Sequence, residues 1–479
     1  MCVRTPPVKP ARQFILKNST IVLVPCKRIV RIAPSEAAKL SAERRIAMSY
    51  FDELPRELGN LLRWAELRYE QGVGVGGKVS ALLRRVRSLR RELERTSPPR
   101  ALTRREPNDL ATIQSLRKAG PRKMWDRFRP GDYADRIRGA FLGRAAGCTL
   151  GAPVEGWRPE RMARLAAYLG VKFPPTDYWP AVDQPYEMRY GRDFREAYTK
   201  PKIRHVPVDD DMTYTVLGLL ILEDFGPDFT TKDVGAAWMK YLPMACTAER
   251  EALANLRAGV SWRRAGERNN PYMEWIGADI RSDPWGYACP GWPERAAEMA
   301  YRDSYLSHRH NGIYGAIYFS AVIAAAFAVD DPVEALHVGL TEIPKTCRLH
   351  KDLTWALKVA PKVRDHVQAK RLVDKRFGGM STVHTNNNAC LTVWGVTIGR
   401  RNLTRAIGTT VAMGYDCDCT AATVGSIVGA AVGAKNIAPH WHRPFRGRCR
   451  TYMIRREWFR IPDICRRFAQ AAKATFRAG

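Results

Sequence analysis

Two aspartates separated by a single residue, Asp416 and Asp418, open the stretch GYDCDCTAATVGSIVGAAVGA between Gly414 and Ala434. In a turn or short extended segment alternate side chains point the same way, so both carboxylates can face one hard cation. The helix expected from Thr420 onward is made of residues too small to hold its neighbours away, which suits a buried site. Taken alone, either aspartate would also serve as a helix N-cap and satisfy an orphan amide. A second acidic group, Asp209, Asp210 and Asp211, stands at the start of an apolar helix in VPVDDDMTYTVLGLLILEDFG. Three adjacent carboxylates gain from the helix macrodipole, but only one can cap, and their repulsion needs an offset that a divalent cation supplies. An exposed acidic cap cluster is the alternative. Glu155 is a third candidate: the helical pattern from Ile137 to Leu150 is stopped by Gly151 and Pro153, leaving Glu155 on the loop beyond, as a metal ligand or a surface residue.

Length and charge bound what can surround these groups. A chain of 479 residues exceeds what one core usually serves, so one large domain with an extension, or two domains, is expected. The formal net charge of +30 predicts attraction to nucleic acid, anionic lipid or other polyanions, unless it reflects an Arg-rich composition throughout. Eleven cysteines, an odd number without paired spacing, exclude a secreted disulfide framework and point to a reducing, cytoplasmic compartment. The Cys417-x-Cys419 pair lacks further thiolates or histidines at zinc spacing. Two apolar runs, Gly312 to Val329 and Thr420 to Ala434, are Ala/Gly-rich and lack aromatic and basic flanks, so they read as buried core helices and no membrane span is expected.

The elements that must position the carboxylates follow in chain order. Residues 1–35 hold no acidic residue and read as a disordered basic tail. Phe51, Leu54, Leu58, Leu61, Leu62 and Trp64, then Leu82, Val86, Leu89 and Leu93 beyond GVGVGG, predict a helical hairpin whose second helix is strongly basic. A Pro/Arg/Ser-rich linker runs from Thr96 to about Lys123, and from Asp132 the character changes to that of a main domain. The expected division is therefore 1–123, a separable basic extension free to contact polyanions, and 132–472. Trp275, Trp285, Tyr287 and Trp292 form an aromatic region able to stack on a base or sugar, or to pack in the core, while His308, His310 and His384 are ligands or satisfied polar residues. No sustained strand alternation occurs in the main domain, which predicts an all-α fold.

In order along the chain, GRAAGCTLGAPVEGW, VDDDMTYT, HNGIYG, VHTNNNA and GYDCDCTAATVGSIVGA resemble the ADP-ribosylglycohydrolase family. The similarity extends over most of Asp132 to Ala472, and CTAER, the NPY-EWIGA-IR pattern and the PE-AAEMA-RD-SYLSH pattern resemble a bacterial-type subfamily. The resemblance implies an all-α orthogonal helical bundle with a binuclear Mg²⁺ centre, or Mn²⁺ in its place. It implies cleavage of the glycosidic bond at the distal ribose of an ADP-ribosylated protein or ADP-ribose derivative. It also implies metal ligands Glu155, Asp209, Asp210, Asp211, Asp416, Asp418 and the residue that follows, Cys419. The chain departs from the family pattern at Asp209, where Thr is usual, at Met212, where Thr is usual, and at Cys419, where Thr or Ser is common. Cations held by shared carboxylates can orient ribose hydroxyls and polarise a water, and one carboxylate, Glu155 or Asp210, takes the water's proton as an oxocarbenium-like state forms. The competing expectation is a catalytically impaired protein that binds ADP-ribose or, through its basic extension, nucleic acid or another polyanion.

Overall fold

The computed structural model describes residues 50–51, 53–182 and 196–479, so the expected disordered tail at 1–35 lies outside the described residues. The fold is all-α, and among the described residues the strands are two short antiparallel ones, Arg448–Arg450 and Trp458–Arg460. Helices that are apolar on every side belong in an interior. Asn311–Ala326 and Cys417–Val432 are buried along their whole length, and Thr385–Gly399 nearly so. These include both runs read as core helices, and no described helix is long and apolar enough to cross a membrane. Asp210–Phe225 is buried from Asp211 to Leu222, and the amphipathic C-terminal helix Ile461–Ala478 packs back on it and on Pro130–Gly151.

At the centre, Pro130–Gly151 lies along Cys417–Val432 at backbone contact. Glycines recur every fourth residue on the first helix, at 139, 143, 147 and 151, and so form a single stripe. A Cβ at Gly143 would stand 2.1 Å from the Gly425 carbonyl oxygen, and one at Gly147 would stand 2.0 Å from that of Ala421. Such a small-residue seam derives its cohesion from backbone van der Waals and Cα–H···O contact rather than from interdigitated side chains.

The expected hairpin is present as Glu53–Glu70 and Gly76–Arg95. Its apolar stripe is uncovered: Leu54, Leu58, Leu61, Leu62 and Trp64 are each 44–57% exposed. The hairpin meets the body where the Asn269 amide donates to Glu94 Oε1 at 2.6 Å and Arg90 donates to Asn269.

The extension ends earlier than the composition suggested. Glu106 is 3% exposed and accepts from Asn311 Nδ2 at 2.9 Å and from the Arg348 amide at 2.7 Å. Arg117 and Arg122 both pair with the buried Glu342, at 2.5 and 2.6 Å, and Ile113 and Trp125 lie in the core. Residues from about 105 therefore belong to the main body, and the boundary expected at 123 falls inside it. An Arg-rich stretch looks like solvated linker in the sequence, which does not show that a buried glutamate far along the chain consumes those charges.

Two outcomes follow from this packing. Gly147→Ala should cost about 3 kcal/mol or more in urea unfolding, because backbone cannot yield to a methyl group as a side chain can; a change under about 1 kcal/mol would contradict the seam. A chain lacking residues 1–98 should keep its thermal midpoint within a few degrees. One lacking 1–123 leaves the buried Glu342 without its arginines and should lose about 3–5 kcal/mol; equal midpoints for the two truncations would restore the later boundary.

Candidate active site

The glycine seam ends at the carboxylates. A Cβ at Gly151 would lie 2.5 Å from both the Cα and the amide nitrogen of Asp418, so the end of one helix touches the beginning of the other. The chain then turns through the 3₁₀ segment Ala152–Val154 and presents Glu155. The Gly156 amide donates to the Tyr415 carbonyl at 3.0 Å, which ties that loop to the approach of the second helix. Gly414 and Tyr415 both have positive φ, 74° and 64°, and this sharp reversal delivers Asp416 to the N-cap position of Cys417–Val432. A left-handed tyrosine is costly and needs fixing; its hydroxyl donates to Asp374 Oδ1 at 2.8 Å.

Asp416 does not use its side chain to cap the helix. Instead one oxygen each from Glu155, Asp416 and Asp418 lies within 4.8 Å of the others. Asp209 is the N-cap of Asp210–Phe225, accepting from the Asp211 amide at 3.1 Å, and Asp211 turns inward. Asp211, Asp418 and Cys419 form a second trio within the same limit, and Cys148, Asp209 and Asp211 a third. The shared members Asp211 and Asp418 join the three trios into one site. Asp210 is half-buried beside it and bears electrostatically on Asp211 and Asp416 without belonging to a trio. Thus the three segments singled out in the sequence meet in one place.

Burial dominates the electrostatics. It pushes the Asp211 carboxyl up to about 8 against the pull of Arg144, and Asp416 up to about 7, where Glu155 adds to the effect. Asp418 is raised well above the ordinary range by burial and then by Glu155 and Asp416. Asp416 Oδ1 and Asp418 Oδ1 are buried with no hydrogen-bond donor, a costly arrangement for ionised oxygens in the absence of a cation. Cys419 Sγ donates to Asp211 Oδ2 at 3.1 Å, and burial, then Asp211, raises its thiol pKa; burial likewise raises that of Cys148.

Three participants were not anticipated. Arg144, fully buried, binds Asp211 at 3.1 Å and Asp283 at 2.7 Å, donates Nε–H to Thr215 Oγ1 at 2.7 Å and reaches the Ile280 carbonyl at 2.6 Å. Its contact with Asp283 is an ion pair without hydrogen-bond alignment. An arginine inside a helix of glycine and alanine was a legible sign of buried partners. Cys148, four residues further on the same face, had no such sign. Asp279 is the third: both its oxygens are buried without donors, and burial followed by the nearby Asp416 raises its pKa.

The remaining candidates lie apart from the trios. His310 Nδ1 shares a hydrogen with the Glu106 carbonyl at 2.7 Å, His384 accepts from the Asn386 amide at 3.2 Å as a helix cap, and His308 Nδ1 meets Ser307 Oγ at 2.8 Å. His310 and His384 are structural residues held by these bonds, whereas His308 is buried with its Nε2 left without a partner. Trp285 and Tyr287 are core residues, whereas Trp275 and Trp292 are half-buried, the latter under the Lys123 ammonium at 3.8 Å.

The raised carboxyls make stability fall with pH. A cation-free native state holds protons on Asp416 and Asp211 up to about pH 7 and 8, while the unfolded chain releases them near 3.8, so that stability is present at low pH and lost as pH rises through 7–8. Histidines such as the half-buried His384, lowered to about 4, act with the opposite sign but only below about pH 6.5. Between pH 7 and 9 the thermal midpoint of chelator-treated protein should therefore drop, and Asp418→Asn should flatten the drop. A midpoint that rises or stays level over that range would refute the assignment of these buried protons.

The comparisons with known proteins bear on what this site belongs to. No curated protein matches the chain significantly. Among solved structures, one titled "ADP-ribosylglycohydrolase-related protein complex" is 20% identical, covering 72% of this chain and 99% of its own, with a TM-score of 0.45. The family profile described as ADP-ribosylglycohydrolase matches residues 129–475, a span that starts beside the glycine-striped helix, takes in all three carboxylate segments and ends within the C-terminal helix. The chain therefore belongs to the ADP-ribosylglycohydrolase family, a family of glycosyl hydrolases.

Proposed function

We propose that the chain is a divalent-cation-dependent hydrolase that removes an ADP-ribosyl group from a protein or small-molecule acceptor by cleaving the glycosidic bond at the distal ribose. The observation that carries this reading is the pair of buried, donorless oxygens on Asp416 and Asp418, whose carboxylates group with Glu155 and, for Asp418, also with Asp211. All-oxygen donors suit Mg²⁺, or Mn²⁺ in its place. Glu155, Asp416 and Asp418 would hold one ion and Asp209, Asp211 and Asp418 a second, supplying Lewis-acid orientation of the ribose hydroxyls and a lowered pKa for a bound water. Cys148 and Cys419, held as neutral thiols by burial, are spectators in this arrangement, since only a thiolate is a strong ligand.

The chain's own groups divide the remaining work. Asp210 is half-buried and outside the trios, which leaves its carboxylate to accept the proton of the water that attacks the anomeric carbon. As the new C–O bond forms, the bond to the acceptor breaks, and the acceptor leaves with the bonding pair and takes up a proton. The surrounding carboxylates stabilise the positive charge that develops on the ribose ring. Arg144 cannot approach the substrate: it is fully buried and holds Asp211 from behind.

The test is release of free ADP-ribose from a panel of ADP-ribosylated proteins and small molecules, with and without Mg²⁺, alongside calorimetric titration of the ion. Glu155→Gln and Asp418→Asn should weaken ion binding and activity together. Asp210→Asn should leave ion binding nearly intact and lower turnover by about 10²–10⁴-fold. Cys419→Ser should keep or strengthen Mg²⁺ binding, because a hydroxyl is the harder donor. A chain that takes up no divalent ion, or whose Asp210→Asn variant turns over normally, would defeat the proposed division of roles.

A further inference from the structure

The hairpin of Arg448–Arg450 and Trp458–Arg460 has an inner face that closes on the core through Cys449 and Phe459. Its outer face sets Arg448 opposite Arg460 and Arg450 opposite Trp458. Like charges directly opposed across a ladder are destabilising, so the pattern costs the fold something. Trp458 is 50% exposed, with the guanidinium carbons of Arg448 and Arg450 at 5.4 and 5.3 Å from its ring centre and the His205 ring at 4.8 Å. Nearby Arg466 and Arg467 are paired with Asp463 and Glu223. Among the described residues, no carboxylate lies within 4 Å of Arg448, Arg450 or Arg460.

The positive charge continues beyond the hairpin. Upstream of Arg448, a groove of about 740 Å³ is lined by Arg204, Arg443, Arg446 and His440, and Arg443 and Arg446 also line a neighbouring cavity of about 480 Å³ together with Arg138. Among the described residues, neither lining contains an acidic one. Burial and the adjoining guanidiniums of Arg450 and Arg448 lower the pKa of His205; burial, then Arg138 and Arg443, lower that of His442. The same positive field therefore reaches across hairpin and groove.

We propose that this face binds single-stranded nucleic acid, with a base stacked on Trp458 and the phosphates crossing Arg448, Arg450 and Arg460 toward the groove of Arg443 and Arg446. Guanidinium forks match phosphate oxygens, and filling them removes the cross-strand repulsion. A solvent-facing indole between arginines offers what a charged patch alone lacks, a platform for the flat face of a base, and only an unpaired strand presents that face. The surface lies outside the carboxylate trios and does not depend on the hydrolase reading. It is nevertheless joined to that site: the Val206 amide donates to the Arg448 carbonyl at 2.9 Å and the Arg450 amide to the Val206 carbonyl at 3.1 Å, three residues before Asp209.

The experiment is fluorescence polarisation of the full chain in EDTA, so that failure of the metal-site reading leaves it untouched. The probes are a labelled single strand of about 20 nucleotides, its duplex, and phosphatidylserine vesicles. The single strand should bind with a log–log salt slope of about −3.5, about −0.7 for each of the five arginines. Trp458→Ala should lower affinity about 10-fold and Trp458→Phe should restore most of it. Arg448→Ala with Arg450→Ala should reduce the slope magnitude by about 1.4. Affinity unchanged in both variants, or duplex or vesicle binding as tight as the single strand and indifferent to Trp458, overturns the proposal. Should a variant prove unstable, photocrosslinking of a 5-bromodeoxyuridine strand to the unaltered protein decides: a crosslink within 448–460 supports the assignment, and crosslinks confined to the N-terminal helices overturn it.

Discussion

The structure depends on the approach of two helices at a distance that only glycine and alanine permit. Pro130–Gly151 and Cys417–Val432 are nearly three hundred residues apart in the chain. Their contact sets where Gly151 meets Asp418, and so where Glu155, Asp416 and Asp418 meet one another. A bulkier seam would hold the helices apart by the width of its side chains and separate the carboxylates by the same amount. The site's dimensions are therefore a property of the backbone, and a rotamer change cannot relax them. This rigidity answers the general need of a hydrolytic centre, since its groups must be held in place before the substrate arrives.

Bringing so many acids together inside a protein requires a fixed countercharge. Arg144 supplies it from the same helix that carries the glycine stripe, and it cannot be neutralised at ordinary pH. One guanidinium is shared between Asp211 and Asp283, and Oδ1 of Asp416, Oδ1 of Asp418 and both oxygens of Asp279 remain without donors. The deficit of positive charge in the site contrasts with the excess on the surface, where arginines of the Arg448–Arg460 hairpin face solvent. The overall charge of +30 thus conceals a buried site rich in carboxyl groups.

What could be read in the sequence divides along physical lines. Helical period, small-residue runs and acidic clusters at helix starts are local patterns, so the all-α class, the buried 311–326 and 417–432 helices and the three carboxylate segments were visible. Whether those segments would meet was not a local property; the ordered motifs of a family supplied that expectation. Pairings between distant charges leave no pattern: the segment of Arg117 and Arg122 reads as solvated linker, although both arginines pair with Glu342 in the main body. The Arg448–Arg460 hairpin escaped notice because strands of three residues are too short to show alternation. Cys148 shares the site with Asp209 and Asp211 for the reason that it faces inward one turn before Gly151, and a lone cysteine in a small-residue helix carries no mark of that.

The glycine seam also has a thermal consequence. Unfolding raises heat capacity through apolar surface and lowers it through polar surface. Where helices meet through leucines, the contact loses strength on cooling because its cohesion is hydration-driven. Gly143 against Gly425 and Gly147 against Ala421 bury peptide groups and very little hydrocarbon, so this contact adds little to the heat-capacity change of the whole domain. The part of the protein that fixes the carboxylates is held mainly by dispersion and weak polar contacts, and its cohesion varies less with temperature than that of the leucine- and tryptophan-rich core around it.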